Sequence, residues 1–313
     1  MIEYLVKRGI FFIPTIIGTT ILSFILGQMA PADPALVLLT MDGNTVPTTI
    51  ELAQKRKELG LDNPFFVQYM SWFCQVIKGS WGNSYITNKP VFDEVIRAAS
   101  TTIKLTIMSL IWVVITALPL GIVMAIYEKK VLGKVGFYLT LIFTSIPSFW
   151  LAILSIQIFS EELALFPTSG FTSLHSLVLP SIVLGVFTIG LVARMQFDSL
   201  RLVLKEPYLM TAQSKGLPYW YIVYAHALKN SWVSVITLLG NYVVGIIGGA
   251  TVIEIIFSLP GLGTLILEAI RGRDYPMIQG YVLIVGVITI IINSLVDLLH
   301  LYLQPKLRLR RDL

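Results

Sequence analysis

Residues 101–127 read TTIKLTIMSLIWVVITALPLGIVMAIY, with Lys104 as the one charged side chain. A bilayer core of roughly 30 Å takes about 20 apolar residues at 1.5 Å each, so this stretch is long enough to cross it. Working outward, five more stretches qualify: about Gly9 to Met29, Val135 to Phe159, Leu177 to Met195, Ser231 to Phe257 and Ile278 to Leu303. Lipid forces a backbone to satisfy its own hydrogen bonds, which predicts helices. The ten-residue alternation of a transmembrane barrel is absent.

Composition agrees. The chain has 313 residues, of which 55% are hydrophobic and 13% charged, about half the roughly 25% charge of a soluble domain. That excludes a soluble enzyme, a disordered regulator and a fibrous protein. The single cysteine, Cys74, excludes a disulfide framework and a cysteine metal site. The sequence predicts an all-α integral membrane protein of six transmembrane helices.

Lys7 and Arg8 precede the first stretch and Ala30-Pro31-Ala32 follows it, as around a signal peptide. Its apolar run exceeds the 7–15 residues typical of a signal core, and proline disfavours cleavage there; an uncleaved span is expected. Basic residues gather at 7–8, 129–134, 194–229 and 306–311, whereas the short loops on the other side hold only Arg271 and Arg273. The positive-inside rule then puts both termini in the cytoplasm. It also accounts for the net charge of +5 without nucleic acid.

The outer loop, residues 30–100, carries its own helix signals. Thr48 or Thr49 can cap a helix that ends at Gly60, and Asn63-Pro64 starts a second, apolar one with Tyr69, Trp72 and Phe73. It reads equally as an interfacial helix or as a docking shelf. In the cytoplasmic loop 196–230, Pro207 opens a short helix, Gly216 ends it and Pro218 starts another. Such a unit, small at Thr211-Ala212, suits insertion into a groove of another protein, or a plain interfacial pair.

No phosphate-binding loop is present, since Gly133-Lys134 is followed by Val135. His175, His226 and His300 are widely spaced and form no H-x-x-x-H pair, so no metal site is expected. No catalytic residue and no bound cofactor are expected. Glu254 and Asp297 are the only acids in the six stretches. Neither sits at a midplane, where an ion-coupled secondary transporter, the rival reading, needs its relay. Glu254 follows Gly245, Gly248 and Gly249 and precedes the turn Phe257–Gly263. Either backbone amides of that turn or a neighbouring chain hold it, or it belongs to a path or docking surface.

Six motifs occur in order: Met29-Ala30-Pro31-Ala32-Asp33-Pro34, Leu59-Gly60-Leu61-Asp62-Asn63-Pro64, Ser145-Ile146-Pro147-Ser148-Phe149-Trp150, Phe166-Pro167-Thr168-Ser169-Gly170, Phe257-Ser258-Leu259-Pro260-Gly261-Leu262-Gly263 and Arg273-Asp274-Tyr275-Pro276. Over nearly its whole length the chain resembles the permease subunits of bacterial ABC importers for peptides and nickel. Tyr208 to Leu217 resembles that group's ATPase-coupling loop, with Met210 where arginine is usual.

The resemblance implies a type I importer permease fold, divided into a first helix (1–29), an extracytoplasmic loop (30–100), the transmembrane domain (99–303, with coupling loop 196–230) and a basic cytoplasmic tail (304–313). It implies a multi-pass protein of the bacterial cytoplasmic membrane, in contact with lipid. Its partners would be a second homologous permease, two cytoplasmic ATPases that carry the ATP and magnesium, and an external solute-binding protein. Tyr208, Thr211, Ala212, Lys215, Gly216 and Leu217 would meet an ATPase, while Glu254, Pro260, Gly261 and Gly263 are path or gate candidates. Short peptides are the expected cargo, with nickel or a metal chelate as the alternative.

Overall fold

The computed structural model of the chain describes residues 2–28, 33–41 and 47–303. The Met29–Ala32 part of the opening motif and the basic tail lie outside them. Among the described residues the secondary structure is helical, with one isolated bridge between Asn83 and Pro90. Helices α1 (Ile2–Gln28), α2 (Pro34–Met41), α3 (Thr49–Glu58) and α4 (Phe65–Ile77) come first, then the long α5 (Val91–Ile126). Next are α6 (Val131–Ser145), α7 (Ser148–Ser155) with a π-helical extension over Ile156–Glu162, and α8 (Val178–Val203). The chain continues through α9 (Pro207–Ser214), α10 (Tyr219–Tyr221), a π segment over Ile222–Ala227 and α11 (Leu228–Gly249). It closes with α12 (Thr251–Ile256), α13 (Leu262–Arg271) and α14 (Tyr275–Leu303).

Four described helical stretches are long and apolar enough to cross a membrane, 91–126, 174–203, 219–247 and 275–299. The third apolar stretch is not the straight helix that hydropathy suggests: α6 and its continuation meet at 94°. Ile146 is extended, at φ −80° and ψ 123°, because the ring of Pro147 disfavours α geometry in the residue before it. Span five is likewise interrupted at Ala250, with ψ at 13°. The short helix expected after Pro218 is no separate element, since residues 219–247 form one continuous helical stretch.

The chain divides into two compact units, residues 1–100 with 261–290, and residues 101–260 with 291–313. In the first, Phe24 of α1 packs its ring on Phe65, Tyr69 and Trp72 of α4. Beside them the hydroxyls of Thr20 and Tyr69 lie 2.9 Å apart. α3 opens as expected, with a capping box in which Thr48 and Glu51 bond each other's backbone N–H.

In the second unit α8 is the hub, packing on α6, α7, α11 and α12. Three apolar clusters line it: Leu105, Leu177, Val183 and Phe257; Val113, Ile189, Val192 and Val235; and Leu200, Leu209, Ile222 and Val223. Gly190 lets α6 come close, for a Cβ there would meet the Thr140 carbonyl oxygen at 2.8 Å. Small residues at helix contacts are the usual means of packing in lipid.

Candidate functional site

The elbow α9–Gly216 is built on one buried face. Leu209 is 4% exposed and sits in the cluster with Leu200, Ile222, Val223 and Leu228, while Ala212, one turn on, packs against the same group. The other face is open: Tyr208, Met210, Thr211, Lys215, Gly216 and Leu217 are all exposed. Gly216 has φ +78°, a conformation that costs an L side chain about 1–2 kcal/mol. Its N–H bonds the Gln213 carbonyl at 3.0 Å and closes the helix. The Asn230 amide donates to the Tyr208 hydroxyl at 2.7 Å, tying α9 to α11. At the end of α8, Arg201 Nε lies 3.0 Å from Glu128 Oε1. The expected contact set is therefore brought together with one exception: Ala212 faces its own chain rather than outward.

The path candidates are arranged differently. Glu254 is fully buried and accepts a hydrogen bond from Thr102 Oγ1 at 2.6 Å. Behind it α12 ends in a Schellman motif. Leu259 N bonds Glu254 O at 2.7 Å and Ser258 N bonds Ile255 O at 3.0 Å, with Ser258 left-handed at φ +51°. Glycine usually holds that position. Pro260 is exposed, and Gly261 and Gly263 are buried. The Gly261 N–H donates to Thr264 Oγ1 at 3.0 Å, where α13 starts.

Sequence reasoning quoted Asp274 in a motif without giving it a role. Its carboxylate, 2% exposed, takes the Ser84 hydroxyl on Oδ2, and the Tyr85 and Met277 amides on Oδ1 at 3.2 and 3.3 Å. Asp274 thus caps α14 and fastens the 82–91 loop to it. Burial first, then the charges of Asp274 and Asp33, push the Tyr85 hydroxyl up to about 12. A separation of 190 residues leaves no local signal for the pair. No group of three or more metal-ligating side chains occurs among the described residues.

Residues 117–309 match the family model described as binding-protein-dependent transport system inner membrane component. Residues 1–106 match the N-terminal part, binding-protein-dependent transport system membrane component. The chain is 34% identical over 308 residues to the glutathione transport system permease protein GsiC of Salmonella choleraesuis (strain SC-B67), covering 98% of this chain and 99% of that one. The protein of the same name from Escherichia coli (strain K12) gives the same figures. A solved structure of the MetNI methionine ABC transporter in an inward-facing conformation aligns with a TM-score of 0.56 at 18% identity, covering 67% of this chain and 96% of that one. At that identity the likeness concerns the fold.

Proposed function

The chain belongs to the family of binding-protein-dependent transport system inner membrane components, the permeases of ABC importers, and from that premise we propose that it forms half of the path of an ATP-driven importer of short peptides in a bacterial cytoplasmic membrane. In this reading the chain crosses six times with both ends in the cytoplasm, which the placing of its lysines and arginines supports. It pairs with a homologous permease, two ATPases that bind ATP and magnesium, and an external solute-binding protein. The chain is a transport subunit rather than an enzyme, and hydrolysis belongs to the ATPases.

The observation that carries the reading is the elbow at α9. A short exposed surface, Tyr208, Thr211, Lys215 and Leu217, stands on an apolar base and is fixed at its end by Gly216. That is a rigid knob, suited to convert closure of an ATPase cleft into rigid-body movement of α8 and α11. Peptides are favoured as cargo because glutathione, named for the curated relatives, is a short peptide. Pro260, Gly261 and Gly263 remain gate candidates in this proposal. The burial of Glu254 favours an anchoring role over a place in an open path.

Uptake of labelled glutathione and other short peptides into vesicles holding the whole complex tests this. Expected is accumulation that needs ATP and the binding protein and persists when the proton gradient is collapsed. Uptake that ignores ATP, or that accepts nickel and no peptide, would overturn it.

A further inference from the structure

Gln196 in α8 and Ser231 in α11 are 0% and 1% exposed. Gln196 Nε2 donates to Ser231 Oγ at 3.0 Å, and Ser231 Oγ in turn donates to the Leu228 carbonyl at 3.0 Å. With the serine proton committed there, the amide end facing it must be the donor. Among the described residues, Gln196 Oε1 is therefore the end left without a hydrogen-bond partner.

The surroundings are apolar on both sides. Val192, Ala193 and Val235 belong to the cluster on one side, and Leu200, Val223 and Leu228 to the other. Gly121 of α5 clamps the stem, since a Cβ there would lie 2.7 Å from Gln196 Cβ. A methionine would fill the same slot without polarity. Buried polar groups within membrane helices are costly, and an unpaired acceptor shifts an equilibrium about tenfold or more.

The pair's position along the chain gives that shift a use. The chain enters the elbow from α8 and leaves it through α11, so any displacement of the elbow is transmitted by these two helices. We propose that Gln196 is a positioning residue of the transport cycle. It holds the present α8–α11 arrangement through Ser231, and it favours a second arrangement in which its carbonyl gains a donor. The proposal rests on the reading of the chain as an ATP-coupled permease.

The two partners then have opposite effects. Gln196→Met gives up the amide's bond to Ser231, but it relieves the larger cost of the bare acceptor here and loses the bond gained in the second arrangement, so on balance it favours the present one. Ser231→Ala removes the bond made here and favours the second. In the complete complex in vesicles, ATP hydrolysis without binding protein is expected to move in opposite directions in the two variants, each by about tenfold. The melting temperature of the purified complex is expected to rise with Gln196→Met and fall with Ser231→Ala.

Shifts of hydrolysis in the same direction, or none in either variant, overturn the proposal. So does a Gln196→Met chain that fails to assemble, because the site is apolar. A wild-type complex without ATP-driven uptake would instead refute the function reading, and the two melting shifts would still report on the buried pair.

Discussion

Thr102 donates its hydroxyl to the buried carboxylate of Glu254 at 2.6 Å, across 152 residues of sequence. The bond joins α5 to α12 where the fifth span has already broken at Ala250. Thr102→Val keeps the shape and removes the donor. It is expected to cost about 1–3 kcal/mol, read as a lower melting temperature of the purified complex. Glu254→Gln retains an acceptor for Thr102 and is expected to leave assembly and transport near normal. Normal assembly with transport lowered for some peptides only would return Glu254 to the path.

Ser258 offers a gain in stability. It occupies the left-handed position after α12 at φ +51°, where glycine carries no steric penalty. Ser258→Gly is expected to stabilise by about 1 kcal/mol, and Ser258→Val to destabilise by at least as much. Thermal melts of both, in one detergent, check the order.

At the elbow, Gly216→Val forces a branched side chain into φ +78°. The expected outcome is a chain that still inserts in the membrane but no longer couples uptake to ATP. Ala212→Asp acts by another route: it sets a carboxylate against Leu209 and its neighbours, so loosening of α9 should accompany the loss. Limited proteolysis between residues 204 and 218 separates the two, with faster cutting expected for Ala212→Asp. Normal transport by both variants would remove the elbow from the coupling reading.

Tyr85 gives a pH dependence. Its folded value of about 12 lies above the ordinary 10, so the fold favours the neutral phenol. The stability this lends is complete below pH 10 and is lost as pH rises from about 10 to 12. Tyr85→Phe is expected to flatten that part of the stability curve, and Asp274→Asn to narrow it by removing a nearby negative charge. A curve unchanged in Tyr85→Phe would contradict the assignment.

Much of this was legible from local chemistry. Hydropathy located the apolar runs of α5, α8, α11 and α14, Thr48 with Glu51 marked the start of α3, and Pro207 and Gly216 bounded α9. The bend after α6 was hidden because prolines are ambiguous in a membrane helix. Pro14 and Pro119 lie within α1 and α5, which run on through them, while Ile146-Pro147 ends α6. Local sequence does not say which neighbours satisfy the freed backbone groups, and that decides the outcome. The buried contacts Thr102–Glu254 and Ser84–Asp274 were hidden for a plainer reason: short-range periodicity carries nothing about partners 152 and 190 residues apart.

The π segment over Ile222–Ala227 has a consequence for insertions and deletions. A π turn holds one residue beyond the α repeat, so losing one residue there restores ordinary winding and leaves the downstream phase intact. Deleting Tyr224, exposed on that segment, should therefore spare the azimuth of everything after it. Deleting Leu239 from the regular part of α11 instead turns the following residues by about 100°. Tyr242, whose hydroxyl lies 2.7 Å from Ser109 Oγ, would swing out of reach. The helix leading out of the elbow thus carries a slack link at one end and a strict phase along the rest.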